Sequence, residues 1–266
     1  MFDHSLTLAN GVKIPQLALG TWLIDDSRVR QVALDAIHIG YRHIDTAQAY
    51  DNEKGVGYAV RHSGISRDKL FITSKVAAEI KSYPLAAKSI DESLRVSGLD
   101  YMDLMLIHCP QPWAEYEKNP YRYVEENRSV WRALEEAYRA GKVRAIGVSN
   151  FNETDISNLC DAADVMPMVN QVFCHAGNTP MNLIRFCQQR GIVMEAYSPV
   201  AHGRALTDKP LISMAERYGV SVAQLCIRYC LQLGMVALPK STQEKHIEQN
   251  SQLNFNISEA DMRLLG

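Results

Sequence analysis

The sequence lacks the features that would send it to a membrane, a nucleic acid or a metal. None of its apolar runs approaches the roughly 18 residues that a transmembrane helix needs. Met1-Phe2-Asp3-His4-Ser5 has neither the basic start nor the apolar run of a signal peptide. Twenty-eight basic residues face 30 acidic ones, with no basic block and no acidic tail, so neither nucleic acid nor a membrane surface is expected as a partner. The six cysteines, at 109, 160, 174, 187, 226 and 230, form no CxxC pair. They read as free thiols of a cytoplasmic protein, with Cys226 and Cys230 on one packed helix face and no metal site expected. Gly55-Val56-Gly57 fails as a dinucleotide fingerprint, because the third glycine position is Arg61 and the segment reads as helix rather than a strand-to-helix turn.

What is present is alternation. Leu6-Thr7-Leu8-Ala9 and Val12-Lys13-Ile14 flank Asn10-Gly11, a hairpin signal of the type I′ kind, which needs positive φ at both central residues. Short apolar runs follow at 16–20, 41–46, 70–76, 102–108, 143–148, 167–172, 192–197 and 235–239. Helical patterns lie near 28–39, 52–62, 84–96, 121–140, 153–163, 180–190, 208–218 and 221–233, with one more near 258–265. Continuous rather than alternating apolar strands suit a parallel sheet buried on both faces. Glycines 40, 64, 98, 141, 191, 219 and 234 each follow a helical stretch, as C-cap glycines do. Eight strand-helix units, the last starting at Met235, without a linker or repeat, predict one domain over 1–266: an α/β fold, a (β/α)8 TIM barrel with an N-terminal β-hairpin.

In such a barrel the active site sits at the C-terminal ends of the strands. The predicted strands end in polar and aromatic residues: Thr21-Trp22, Asp45 with Tyr50 beyond it, Lys75, His108, Ser149-Asn150, Asn170-Gln171, Glu195 to Ser198, and Lys240-Ser241. A tyrosine serves as general acid when its pKa falls from about 10 toward neutrality, a change worth about 4 kcal/mol. A nearby ammonium favours phenolate, so Lys75, held by Asp45, can tune Tyr50 while His108 orients a substrate carbonyl. The hydride would then come from a cofactor. From these residues alone, Schiff-base chemistry at Lys75, a metal hydrolase using His43, Asp45 and His108, and a barrel that only binds remain open.

Three motifs resemble those of the aldo-keto reductases, and the resemblance covers essentially the whole chain. Gly40-Tyr41-Arg42-His43-Ile44-Asp45-Thr46-Ala47, followed by Glu53 and Gly57, is similar to the first family signature. Arg144-Ala145-Ile146-Gly147-Val148-Ser149-Asn150-Phe151 is similar to the second, and Leu238-Pro239-Lys240-Ser241 to the start of the third. The opening segment to Trp22 resembles the family's hairpin, which caps the barrel bottom. The resemblance implies a catalytic tetrad of Asp45, Tyr50, Lys75 and His108, with Tyr50 as the acid, and NADPH extended over the barrel top. It implies Tyr197 stacked on the nicotinamide and Ser149, Asn150 and Gln171 on its carboxamide. Thr21 and Trp22 would lie at the nicotinamide end, and Ser198, Pro199, Val200 and Arg204 at the pyrophosphate. Lys240, Ser241 and Thr242 would sit at the 2′-phosphate, with Gln249 and Asn250 near the adenine. Trp22 and Trp113 would wall the substrate carbonyl beside Tyr50 and His108.

Departures from the family pattern refine these expectations. His246 stands where the family commonly has an arginine, which grips phosphate bidentately; this predicts a weakened NADPH preference with NADH also used. Phe173-Cys174-His175-Ala176 replaces a Glu-Cys-His-Pro and reads as loop variation. The end at Gly266 predicts an open pocket and broad specificity, for small aldehydes, methylglyoxal-like dicarbonyls, aldoses or keto-sugar acids. His43, Cys109 and Trp131 read as packed residues. A monomer is expected, and the alternative function is a nicotinamide-binding barrel acting as a regulatory or redox-sensing subunit.

Overall fold

The computed structural model describes residues 4–116, 118 and 123–266. The chain opens with an antiparallel hairpin of β1 (Ser5–Thr7) and β2 (Lys13–Pro15). Its loop differs from the predicted two-residue turn. The Gly11 N–H donates to the Leu8 carbonyl and the Leu8 N–H to the Val12 carbonyl, both at 2.8 Å, and of the central pair only Gly11 has positive φ (87°). This is the three-residue loop in which one left-handed glycine suffices. Asn10 is kept from the left-handed region by other work: its Oδ1 accepts from the Val12 N–H, and its Nδ2 donates at 2.9 Å to the Arg144 carbonyl, tying the hairpin to the barrel.

Eight parallel strands follow: β3 (Leu19–Gly20), β4 (His43–Asp45), β5 (Phe71–Val76), β6 (Leu104–Ile107), β7 (Ile146–Ser149), β8 (Val169–Phe173), β9 (Val193–Tyr197) and β10 (Val236–Leu238). They pair in chain order. The first and last meet through a parallel bridge of Leu17 with Ala237, and through Gly20 N–H to the Pro239 carbonyl at 2.9 Å. The sheet thus closes on itself as a (β/α)8 barrel. Its strands are buried on both faces, as β5 and β6 show at every position, which is why their sequences run apolar without alternation.

Helices α1 (Asp26–Ile39), α2 (Glu53–His62), α3 (Tyr83–Ser97), α4 (Val124–Arg139), α5 (Glu153–Cys160), α6 (Met181–Gln188), α7 (Lys209–Tyr218), α8 (Val222–Gln232), α9 (Glu244–Ser251) and α10 (Glu259–Leu265) surround it. Residues 1–3 of the expected leaderless start and 121–122 of the expected fourth helix lie outside the described residues. Two helices, α7 and α8, occupy the last crossover, and α9 completes the eighth unit. The sequence pattern misses α9 because only Ile247 in it is apolar; Ile247 and Asn250 are its buried residues. Among the described residues no helix is long and apolar enough to cross a membrane.

Several motif residues hold the frame. Asp103 is fully buried and receives Arg67 and Arg144, each at 2.7 Å. Tyr41 donates at 2.9 Å to the Ile247 carbonyl, joining β4 to α9. Trp131 is buried and donates to the Val165 carbonyl at 3.0 Å, a packing role. Gly57 lies where α2 crosses the end of α3, and a Cβ there would overlap the Ser97 carbonyl. Gly57→Ala is therefore expected to lower stability by about 1–3 kcal/mol, read as a lower urea midpoint with an unchanged slope.

Candidate active site

β4 delivers Asp45 at its C-terminal end, and the chain then turns through a short 3-10 segment, Gln48–Tyr50. Polar anchors hold this loop. Gln48 Oε1 accepts from the Ala77 N–H at 3.0 Å, and its Nε2 donates to the Ser89 carbonyl. Asn52 is fully buried, accepts from the Thr46 hydroxyl at 2.5 Å and donates to the Thr21 and Ile24 carbonyls. Asp51, with φ 53°, reverses the chain after Tyr50. The phenol is thereby set against β5, whose Lys75 is completely buried.

Lys75 Nζ donates at 2.7 Å to Asp45 Oδ1 and at 2.8 Å to the Thr46 carbonyl, and lies 3.5 Å from Tyr50 Oη. His108, at the end of β6, meets the Tyr50 ring edge-on at 5.6 Å between centroids, and the Trp113 ring at 5.2 Å. The structure thus brings together all four members of the expected tetrad, with Trp113 beside them. Trp22 is 46% exposed and Trp113 42%; Trp22 meets His202 edge-on, as Trp113 meets His108.

The electrostatics follow from burial. Desolvation pulls the Lys75 ammonium down, but Asp45 and then Tyr50 outweigh it, so Lys75 stays charged with its pKa above the ordinary value. Tyr50 is raised: burial penalises phenolate more than Lys75 favours it. This reverses the expected fall toward neutrality, because the loop that brings the phenol to the ammonium also takes it out of water. Burial and then Lys75 push His108 well below its usual pKa, so it is a neutral imidazole, and its Nδ1 is buried without a partner.

His43 lies deeper in the barrel and is fully buried. Its Nδ1 faces the Pro15 carbonyl at 3.3 Å, so Nδ1 carries the hydrogen and Nε2 accepts from the Thr73 hydroxyl at 2.9 Å. Burial lowers its pKa to about 4. It is a packed neutral histidine, and among the described residues no group of three or more His, Cys, Asp and Glu could hold a metal ion.

The residues expected at a cofactor fall into three groups. At the nicotinamide end, Tyr197 donates at 2.8 Å to Asn150 Oδ1, and Asn150 Nδ2 donates to the His108 carbonyl at 3.0 Å. Ser149 donates to the Gln171 carbonyl, and Thr21 is fully buried with its hydroxyl on the Asp45 carbonyl. Gln171 turns its amide nitrogen into the barrel, 2.8 Å from both Asp45 Oδ2 and Glu195 Oε2. After β9, Ser198, Ala201 and His202 all have φ between 52° and 55°, and Gly203 follows at 89°. Non-glycine residues held there cost about 1–3 kcal/mol each and persist mainly at functional sites. Pro199 is buried, while the Arg204 side chain is exposed. His202 contacts Trp22 at 5.4 Å between ring centroids, so this strained loop after β9 meets the end of β3, two places round the ring. At the third group, Lys240 and His246 are exposed around the N-terminal turn of α9, with Ser241 and Thr242 between them, while Gln249 and Asn250 lie in its last turn. This arrangement fits an extended dinucleotide: a half-buried aromatic with amides beside the tetrad, a strained loop, and an exposed lysine with a histidine at a helix start.

Residue patterns missed Asn52, Gln48 and His202, and they placed Glu195 at a strand end without giving its carboxyl a role. The signal available for Glu195 was its parity: it sits one strand from Gln171 and in register with it.

A barrel whose strand ends gather a buried ammonium, a carboxylate, a phenol and a neutral imidazole suits proton transfer at a carbonyl oxygen, and the family match makes the protein an oxidoreductase acting on carbonyl and alcohol groups. Residues 16–265 match the family model described as the Aldo/keto reductase family, and the chain belongs to that family. Glyoxal reductase of Bacillus subtilis is 40% identical over 260 residues, covering 97% of this chain and 90% of that protein. The crystal structure of an aldo/keto reductase from Brucella melitensis superposes with a TM-score of 0.91 at 35% identity, covering 98% and 96% of the two chains. That of a Bombyx mori aldo-keto reductase in complex with NADP does so at 0.88 and 33%, covering 98% and 91%.

Breaking a buried pair by removing one partner strands a charge and costs about 3–5 kcal/mol. Asp45→Asn and Lys75→Met are each expected to lower unfolding free energy by about that much. The double substitution is expected to lose clearly less than the sum of the two, as read by urea denaturation.

Proposed function

We propose that the protein reduces small aldehydes and ketones to alcohols with NADPH, Tyr50 acting as the general acid. The observation that carries this reading is the single ammonium of Lys75, which touches Asp45, the Thr46 carbonyl and the Tyr50 phenol together. The bound nicotinamide supplies hydride. The residues of this chain handle the proton and the position of the carbonyl. His108, neutral and a donor of one ring N–H, orients the carbonyl oxygen toward Tyr50. Tyr50 is protonated at neutral pH and gives its Oη proton to the oxygen as negative charge grows there. Lys75 stabilises the phenolate left behind, and Asp45 holds Lys75 in place. Trp22 and Trp113 keep water from the reacting carbon on the apolar side of the cleft.

The finer assignments rest on the same arrangement. Tyr197 is the stacking surface for the nicotinamide, and Asn150, Ser149 and Gln171 meet its carboxamide; the hydroxyls and amides there are already set by bonds to one another. The strained segment from Ser198 to Gly203 receives the pyrophosphate, and Lys240 with the first turn of α9 receives the 2′-phosphate. A B. subtilis relative named for glyoxal favours small aldehydes and dicarbonyls as substrates, and the exposed indoles suit a broad range of them. The continuous sheet supports one domain over 1–266; a cytoplasmic monomer without nucleic acid or membrane partner belongs to the same proposal.

Tyr50→Phe is expected to lower kcat by about 10²-fold or more, with cofactor affinity retained, measured by NADPH oxidation over a carbonyl panel and by cofactor fluorescence. Wild-type turnover in Tyr50→Phe would exclude the mechanism. Arginine offers a planar fork that grips a phosphate bidentately and an imidazole does not, so His246→Arg is expected to raise the ratio of kcat/KM for NADPH over NADH several-fold. An unchanged ratio would remove His246 from the phosphate site.

A further inference from the structure

We propose that Glu195 is a positioning residue for the reaction: it holds the Gln171 amide in the orientation that fixes the Asp45 carboxylate against Lys75. The inference rests on the tetrad reading above and extends it across the barrel.

Glu195 lies in β9 in register with Gln171 of the neighbouring β8, and both face the barrel interior. Asp45 is on β4, four places from β8 in the eight-stranded ring and therefore opposite it. Gln171 spans this gap. A primary amide nitrogen has two hydrogens, and here both are engaged, one on Asp45 Oδ2 and one on Glu195 Oε2, each at 2.8 Å. Asp45 Oδ1 takes Lys75 Nζ at 2.7 Å, and the chain ends 3.5 Å further on at Tyr50 Oη. Glu195, Gln171, Asp45, Lys75 and Tyr50 thus form one continuous hydrogen-bonded line from a fully buried carboxyl to the phenol at the cleft.

The amide can rotate. Rotated, it would set its oxygen against the Asp45 carboxylate, acceptor against acceptor. The Asp45 carboxylate, which can only accept, therefore sets the rotamer, and Glu195 Oε2 accepts the second N–H and holds it there. Removing the Glu195 acceptor leaves one N–H unpaired in the dry interior and weakens that choice.

The charge balance suits the role. Glu195 is faced by Asp45 and His43 from β4, Lys75 from β5 and Gln171 from β8. His43 Nε2 is 4.0 Å from Glu195 Oε1, too long for a hydrogen bond, and Oε1 is buried without a partner. Burial first, then the Asp45 charge, push the Glu195 carboxyl up to about 8. At neutral pH it is mostly protonated and serves as a neutral acceptor. It adds no second negative charge to compete with Asp45 for the ammonium.

The test compares Glu195→Leu, Glu195→Gln, Gln171→Leu and the double leucine variant, with Tyr50→Phe as reference. The readouts are kcat and KM for carbonyl reduction, and the ultraviolet phenolate titration of Tyr50 in cofactor-free protein, taken as the difference from Tyr50→Phe. Glu195→Leu is expected to lower kcat by about tenfold or more with substrate KM within about threefold, and to move the Tyr50 titration upward. Glu195→Gln, whose amide oxygen can take the same contact, is expected to recover wild-type kcat within about threefold. Adding Glu195→Leu to Gln171→Leu is expected to change little, because the effect passes through Gln171. Wild-type kcat and titration in Glu195→Leu would overturn the proposal. So would a Glu195→Gln as impaired as Glu195→Leu, or losses from the two leucine substitutions that simply multiply. If Glu195→Leu does not fold, Glu195→Met keeps the unbranched stem and carries the same readings. An active Tyr50→Phe would defeat the tetrad reading itself, whereas an inactive Tyr50→Phe beside an unimpaired Glu195→Leu would defeat only the role of Glu195.

Discussion

A lysine ammonium with no access to water is the constraint on which the site depends. Lys75 sits near the C-terminal end of a strand buried at every position. Left alone there it would lose its proton, and its neighbours are arranged to prevent that. Asp45 supplies the countercharge, the Thr46 carbonyl a second acceptor, and Tyr50 a third contact. Each of these groups belongs to the stretch from β4 into the following loop. Once the ammonium must be satisfied, the conformation of that stretch is largely prescribed, and the phenol arrives beside a cation as a consequence.

The same constraint orders what lies around it. The loop carrying Tyr50 cannot wander, because Gln48 and Asn52 are bonded to backbone groups of neighbouring elements. Asp45 uses one oxygen for Lys75 and the other for Gln171, so both its oxygens have directed partners. His43, two residues before Asp45 on the same strand, shares its inward parity but is neutral and bound to Pro15 and Thr73. A cation there would have competed for Asp45. Its low pKa therefore serves the pair as well as the packing. Family membership and the barrel give the reaction class, and the arrangement around Lys75 supplies a physical reason for it.

Most of the architecture was legible because a parallel barrel writes itself plainly. Its strands are continuous apolar runs, and left-handed glycines such as Gly98 and Gly219 close the helices before the next strand begins. The places where reading failed have local causes. The Asn10-Gly11 turn took a three-residue form because the Asn10 side chain is bonded to Val12 and Arg144, a tertiary contact invisible to a dipeptide rule. Helix α9 escaped notice because its one buried apolar residue, Ile247, cannot make a periodic pattern. The direction of the Tyr50 pKa was misjudged because proximity to Lys75 can be inferred from strand order, whereas the degree to which the phenol leaves water cannot.

The sequence alone determined the strand order, the residues at the strand ends and, through its three motifs, the chemistry that Asp45, Tyr50, Lys75 and His108 suit. The strands and their ends follow from local periodicity written along the chain, whereas the chemistry of the four residues is what the resemblance of the motifs implies. Only the tertiary structure decided what those residues do to one another across the barrel. It turned Gln171 inward to join Asp45 to Glu195, made Glu195 a buried neutral acceptor, and placed Trp22 against His202. The reason is geometric: Gln171 and Asp45 are 126 positions apart in the chain and meet only because the sheet closes into a ring.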